Sequence, residues 1–218
     1  ITIRQLLQMR SGYPWEERTS PYMEMILSTD NLLPYIVEFP LTTNPGTEFG
    51  YSNLASHLLG VVVTRASGVD LKSFGQAELF SRIDAQVGDW WQDASGYHWG
   101  AGLMSSTARD AAKLGLLYLN DGLYEGTQVV SATWVKESLQ RYSEGINFTG
   151  WIPGMSSKLG RYFSDIGYGY QWWSARVGDH HFNYAAGHGG NLIVLLEDLD
   201  MIVVTTANDL HGIFGQEA

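Results

Sequence analysis

At 218 residues with 44% hydrophobic content, the chain is long enough to bury one large core, which excludes a disordered tail or a fibre. Its 13 lysines and arginines against 23 aspartates and glutamates leave a formal charge of -10, the wrong sign for neutralising phosphates, so nucleic acid is not an expected partner. The absence of cysteine excludes disulfides, thiolate zinc sites and a cysteine nucleophile; no apolar run approaches the roughly 20 residues that cross a bilayer, and ITIRQLLQMRSG lacks a signal-peptide pattern. The expectation is a soluble chain, no membrane partner, and a compartment left open.

Thr2 and Gln5 have capping-box spacing, which predicts a helix with Leu6, Leu7 and Met9 on its apolar side and Gly12 available for a left-handed stop. Further helices are predicted from Asn53 to about Ala66, closed by Gly68, and from Leu71 to Phe80. Two more follow, one capped by Thr107 with Asp110 three residues on and ending before Gly122, the other from Ser131 to about Leu139. After about residue 165 the runs IGYGYQWWSARV, HFNYAAGH, NLIVLLEDL and MIVVTTA are short, aromatic and β-branched, which predicts an antiparallel meander.

Helices followed by strands give an α+β class, with residues 1–160 mainly helical and 161–208 in strands. The nearly continuous apolar runs at Leu192–Leu196 and Met201–Val204 predict strands covered on both faces, although only a dozen residues follow Thr206. The chain therefore reads as part of a larger fold. Its sheet would expose edges for a companion N-terminal segment or for self-association.

Taken alone, Tyr51-Ser52-Asn53 reads as a turn with Asn53 capping the next helix, and Gly187-His188-Gly189-Gly190 as a glycine turn. Asp179, His180 and His181 are adjacent on a strand, so their side chains alternate in direction and a shared metal site is not expected. Among Trp90, Trp91, Trp99, Trp172 and Trp173, only Trp172 or Trp173 is a candidate pocket wall.

Four segments, in order, resemble the serine β-lactamase and penicillin-binding-protein superfamily. The similarity is to its class C-like branch of esterases, 6-aminohexanoate-dimer-hydrolase-like amide hydrolases and D-aminopeptidases. They are ITIRQLLQMRSGY, PGTEFGYSNLASHLLGVVVTRASG, GAGLMSSTARDAAKLGLLYLNDGLYEG, and the pair YGYQWW with GHGGN. In the first, Met9 and Arg10 stand where a His-Thr-like pair is common, which marks position without implying chemistry. The resemblance implies a β-lactamase/transpeptidase-like fold, here truncated, and an acyl-enzyme route to hydrolysis of a small ester or amide, with no metal or cofactor. It implies that Tyr51 and His188 handle protons and that Asn53, Gly189, Gly190 and the Asn191 backbone N–H bind substrate and its oxyanion.

The family's Ser-x-x-Lys nucleophile motif is missing: no serine in the sequence precedes a lysine by three positions, and Thr133 before Lys136 is the nearest imitation. The expectation is a hydrolase segment lacking its nucleophile. The alternatives are a catalytically silent binding or structural module and an aromatic-rich carbohydrate-binding domain.

Overall fold

A computed structural model describes residues 1–15, 32–146 and 163–206, with only the backbone of His188. Helix α1 spans Ile3–Leu7 and starts with the expected reciprocal box between Thr2 and Gln5. It ends sooner than the sequence suggests, because Met9 already takes a left-handed φ of 53° ahead of Gly12 at 92°. Helix α2, Leu32–Glu38, is not evident from the sequence. Its Pro34 lies in the first turn, where a missing N–H costs nothing.

Helix α3, Asn53–Ser67, is capped by Ser52, whose hydroxyl accepts from Ala55 N, and closes at Gly68 with φ 72°. The cap is therefore Ser52 and not Asn53, which is the first helical residue. Helix α4, Leu71–Glu78, passes into a 3-10 turn at Phe80–Ile83. Helix α5, Ala108–Leu119, starts from Thr107 as expected. A two-residue-strand hairpin, β1 Leu123–Tyr124 with β2 Thr127–Gln128, follows. Glu125 and Gly126 both have positive φ, the turn that suits a tight hairpin. Helix α6 is Ala132–Leu139 from a Ser131 cap.

The remaining strands are β3 Ser164–Tyr168, β4 Trp173–Val177, β5 His180–Gly187, β6 Asn191–Leu196 and β7 Met201–Thr205. They form one antiparallel meander in the order β3-β4-β5-β6-β7. The run IGYGYQWWSARV supplies two of these strands, broken at Gly169–Trp172.

The register row Trp173, Tyr184, Val194, Val203 shares one face of the sheet, and the row Ser174, Asn183, Leu195, Ile202 shares the other. Helix α5 lies against the second face through Gly115, where an added Cβ would sit 2.9 Å from Ile202 and 3.0 Å from Ile193. The first face meets the helices in a core built from Leu6, Met9, Leu32, Ile36, Leu54, Tyr168, Trp173 and Tyr184.

The strands are not covered on both faces throughout. Met201 and Val203 on β7 remain 41% and 38% exposed, because α5 covers only the opposite side. Among the described residues no strand pairs with the outer edge of β7, whereas β3 is met by the segment after α6, through Tyr168 N to Ser143 O and Ile146 N to Ile166 O.

The β3–β4 turn is docked on α6 so tightly that a Cβ at Gly169 would fall 2.2 Å from the Ser138 carbonyl oxygen. Gly169→Ala is expected to lower unfolding free energy by roughly 1–3 kcal/mol. Gly178→Ala, at a hairpin tip with open space and φ +58°, is expected to cost only about 1 kcal/mol from its left-handed backbone. Urea unfolding of the two variants checks the order; equal losses would contradict the docking.

Candidate active site

Tyr51 occupies the extended step into α3, and the Ser52 cap fixes where it stands. Its half-buried ring stacks on Trp173, with centroids 5.3 Å apart and planes at 27°. Tyr168 meets the same ring edge-on at 6.2 Å, and Trp15 lies at 5.8 Å. Trp173 is only 2% exposed and continues the stack to Tyr184, 6.4 Å away at 22°.

Burial raises the phenol pKa of Tyr168 well above its ordinary value, with smaller contributions from Tyr51 and Tyr184; burial also raises that of Tyr184. Both remain neutral packing groups at ordinary pH, while Tyr51 keeps partial access to solvent.

Trp172 lies in the turn ahead of β4, on the far side from Tyr51. It is 6% exposed and packs on Tyr118 of α5 at 4.6 Å. Of the two tryptophans named as wall candidates, only Trp173 is beside Tyr51.

The glycine motif forms the β5–β6 turn. Gly187 pairs with Asn191, His188–Gly190 make a 3-10 step, and Gly189 and Gly190 take φ of 78° and 93°. That left-handed backbone favours glycine at both positions. The Thr205 hydroxyl donates to the Gly190 carbonyl at 2.6 Å, tying the turn to the end of β7. Asn191 is exposed at the first position of β6. Along β5, Gly187 lies three residues beyond Tyr184, about 10 Å at strand rise. The glycine turn thus ends the strand whose Tyr184 continues the Tyr51–Trp173 stack. The His188 side chain is outside the described residues.

Asn53 is 7% exposed in the first turn of α3, and His57 stands one turn below on the same side of the helix, fully buried. The Gly100 N–H donates to His57 Nδ1 at 3.3 Å, and the ring lies on Trp99 at 4.7 Å. Accepting at Nδ1 leaves the proton of the neutral ring on Nε2. Sequence reading gives no signal for His57, because a histidine inside an apolar helix reads as core.

The tip residues behave separately: His180 Nδ1 is 2.5 Å from Asp198, while His181 accepts from Arg176. Thr133 and Lys136 are exposed on α6.

Burial, opposed by the Asp93 carboxylate, lowers the His57 pKa to about 4. Below about pH 6.5 the unfolded chain therefore binds a proton that the folded chain refuses. Stability is expected to fall as pH drops from about 6.5 toward 4, by on the order of 3 kcal/mol from this group. His57→Asn keeps an acceptor for Gly100 N–H and is expected to flatten that slope in urea midpoints taken from pH 7 to 4.5. Identical slopes in both proteins would contradict the assignment.

The family model described as Beta-lactamase matches residues 1–218. A 6-aminohexanoate-dimer hydrolase of Paenarthrobacter ureafaciens is 28% identical over 147 residues, 66% of this chain and 36% of that protein. A Bacillus anthracis structure assigned as a 6-aminohexanoate-dimer hydrolase superposes with a TM-score of 0.70 at 20% identity, covering 98% of this chain and 58% of its own. A penicillin-binding protein from Bacillus halodurans gives a TM-score of 0.66 at 19% identity, with 95% and 68% covered. The chain spans little more than a third of that curated relative and under two thirds of the first of these structures. With its whole described length following this mixed helix and antiparallel-sheet architecture, the chain belongs to the β-lactamase family.

Proposed function

We propose that this chain is the part of a serine amide or ester hydrolase that carries its proton-handling tyrosine and its glycine-turn motif. The observation that supports the reading is the placement of Tyr51 at the mouth of α3, stacked on Trp173, whose strand neighbour Tyr184 lies on the strand that ends in the His188-Gly189-Gly190 turn.

In this reading the Tyr51 phenol takes the proton of a serine hydroxyl as that oxygen bonds to the substrate carbonyl carbon. The acyl-enzyme forms when the C–N or C–O bond breaks and the proton passes to the leaving group, and water then releases the acid. A phenol with an ordinary pKa of about 10 does this at neutral pH only beside a cation. The His188 imidazole and a lysine of the nucleophile motif are the proposed sources. Asn53 donates its amide to the substrate carbonyl or holds that lysine. Gly189 and Gly190 leave room for substrate at the start of β6, and the Asn191 N–H is one oxyanion donor, the serine's own N–H the other. Trp173 is the apolar wall behind the phenol.

The 218 residues contain no Ser-x-x-Lys, so the nucleophile is proposed to come from a companion segment. The outer edge of β7, with which no strand among the described residues pairs, is the proposed edge for a strand of that segment. The curated relative, named for an amide dimer of 6-aminohexanoate, and a histidine in the third motif both favour a linear amide or ester over a penicillin. A silent binding module is the second reading, favoured by the missing motif itself.

Intact-mass measurement after a fluorophosphonate probe, with turnover of a short-chain p-nitrophenyl ester, distinguishes them. The upstream-extended protein is expected to gain the probe mass and hydrolyse ester, and the 218-residue chain to do neither. Tyr51→Phe in the extended form is expected to lower kcat by about 100-fold or more. Labelling of the 218-residue chain would overturn the companion-segment proposal, and an inert extended form would leave the silent module.

A further inference from the structure

We propose that Met9 is a positioning residue that fixes Tyr51 by bonding the residues on both sides of it. The Gly50 N–H donates to the Met9 carbonyl at 2.8 Å, and the Ser52 N–H donates to the Met9 thioether sulfur at 3.4 Å. One residue thus brackets Tyr51 from either flank.

Ser52 has its other polar groups committed elsewhere. Its hydroxyl caps α3 at Ala55 N, and its carbonyl accepts from Ser56 N at 3.2 Å. The backbone N–H is held by the Met9 sulfur in a place where Met9 and Ser52 are both 0% exposed. A buried N–H deprived of its acceptor is costly, so even a weak sulfur acceptor carries weight there.

Met9 also accepts the left-handed φ of 53°, which turns its sulfur and its carbonyl toward one stretch of chain. Side-chain volume alone does not call for this arrangement, since leucine would fill the core similarly but offer no acceptor. Position 9, which in the sequence only marks a family landmark, therefore holds the Tyr51-Ser52-Asn53 segment in register. The catalytic consequence rests on the proposed role of Tyr51; the bracket itself does not.

Amide hydrogen exchange at Ser52, followed by NMR, tests it. In the 218-residue chain the Ser52 amide is expected to be protected. In Met9→Leu it should exchange about tenfold faster, while the amides of Leu195 and Ile202 are unchanged. Met9→His, which tolerates positive φ and supplies a neutral ring nitrogen, is expected to restore protection. In the extended protein Met9→Leu should lower kcat with little change in KM, and Met9→His should recover it. A wild-type Ser52 amide that exchanges like an unstructured peptide overturns the proposal whether or not the variants fold. Unchanged exchange in Met9→Leu overturns it too. If Tyr51→Phe leaves kcat intact while the exchange result holds, the catalytic reading fails and the bracket stands.

Discussion

The docking of one four-residue turn, Gly169 to Trp172, organises the structure. Gln171 takes a left-handed φ of 60°, a conformation that costs a non-glycine residue about 1 kcal/mol. In that pose its N–H donates to the Leu7 carbonyl at 3.1 Å, and its amide nitrogen reaches the Leu6 and Leu7 carbonyls at 3.4 and 3.3 Å. Its amide oxygen accepts from the Ser56 hydroxyl at 2.8 Å. The last carbonyls of α1 thus gain partners from the β3–β4 turn, Leu6 O also accepting from Met9 N at 3.2 Å. The same side chain holds α3. Beside it, Tyr170 N donates to Ser138 O at 2.8 Å, so α6 joins as well.

From this staple the geometry around Tyr51 follows. Trp173 is two residues beyond Gln171 and begins β4, so fixing the turn fixes the indole on which Tyr51 stacks. Ser56 is one turn along α3 from Ser52 and Asn53, so the same contact sets the height of the helix mouth. The aromatic layer then forms as T-shaped and stacked pairs at 4.7 to 6.4 Å. Such pairs tolerate little sliding without losing contact. A phenol held this way is oriented in advance, which suits the proton-handling role proposed for Tyr51.

Much of this was legible in the residues because short-range chemistry decides it. The Thr2 and Thr107 caps and the Gly68 stop are local, and they stand as read; Ser131, read as the first residue of its helix, is its cap. The assignment of the α3 cap to Asn53 was off by one, since two capping residues are adjacent and only the backbone angle at Ser52 distinguishes them. Helix α2 was hidden by Pro34, which suggests a breaker unless it sits in the first turn. The break between β3 and β4 was hidden because Gln171 is not a turn former; its left-handed pose is set by long-range partners. The same holds at the site. Tyr51 and Asn53 stood out through their flanking motif, whereas the roles of Met9 and His57 depend on contacts 43 residues away in sequence. The apolar pattern of β7 suggested cover on both faces, but pattern does not say what supplies it.

The Gln171 turn brings Tyr51 and Trp173 together. Near-ultraviolet circular dichroism of Gln171→Ala against the unsubstituted chain tests this most directly, since that signal reports fixed aromatic packing while the far-ultraviolet signal reports secondary structure. The expected result is a marked loss of tryptophan and tyrosine signal with far-ultraviolet intensity retained. An unchanged near-ultraviolet spectrum would contradict the claim that this turn sets the aromatic layer beneath Tyr51.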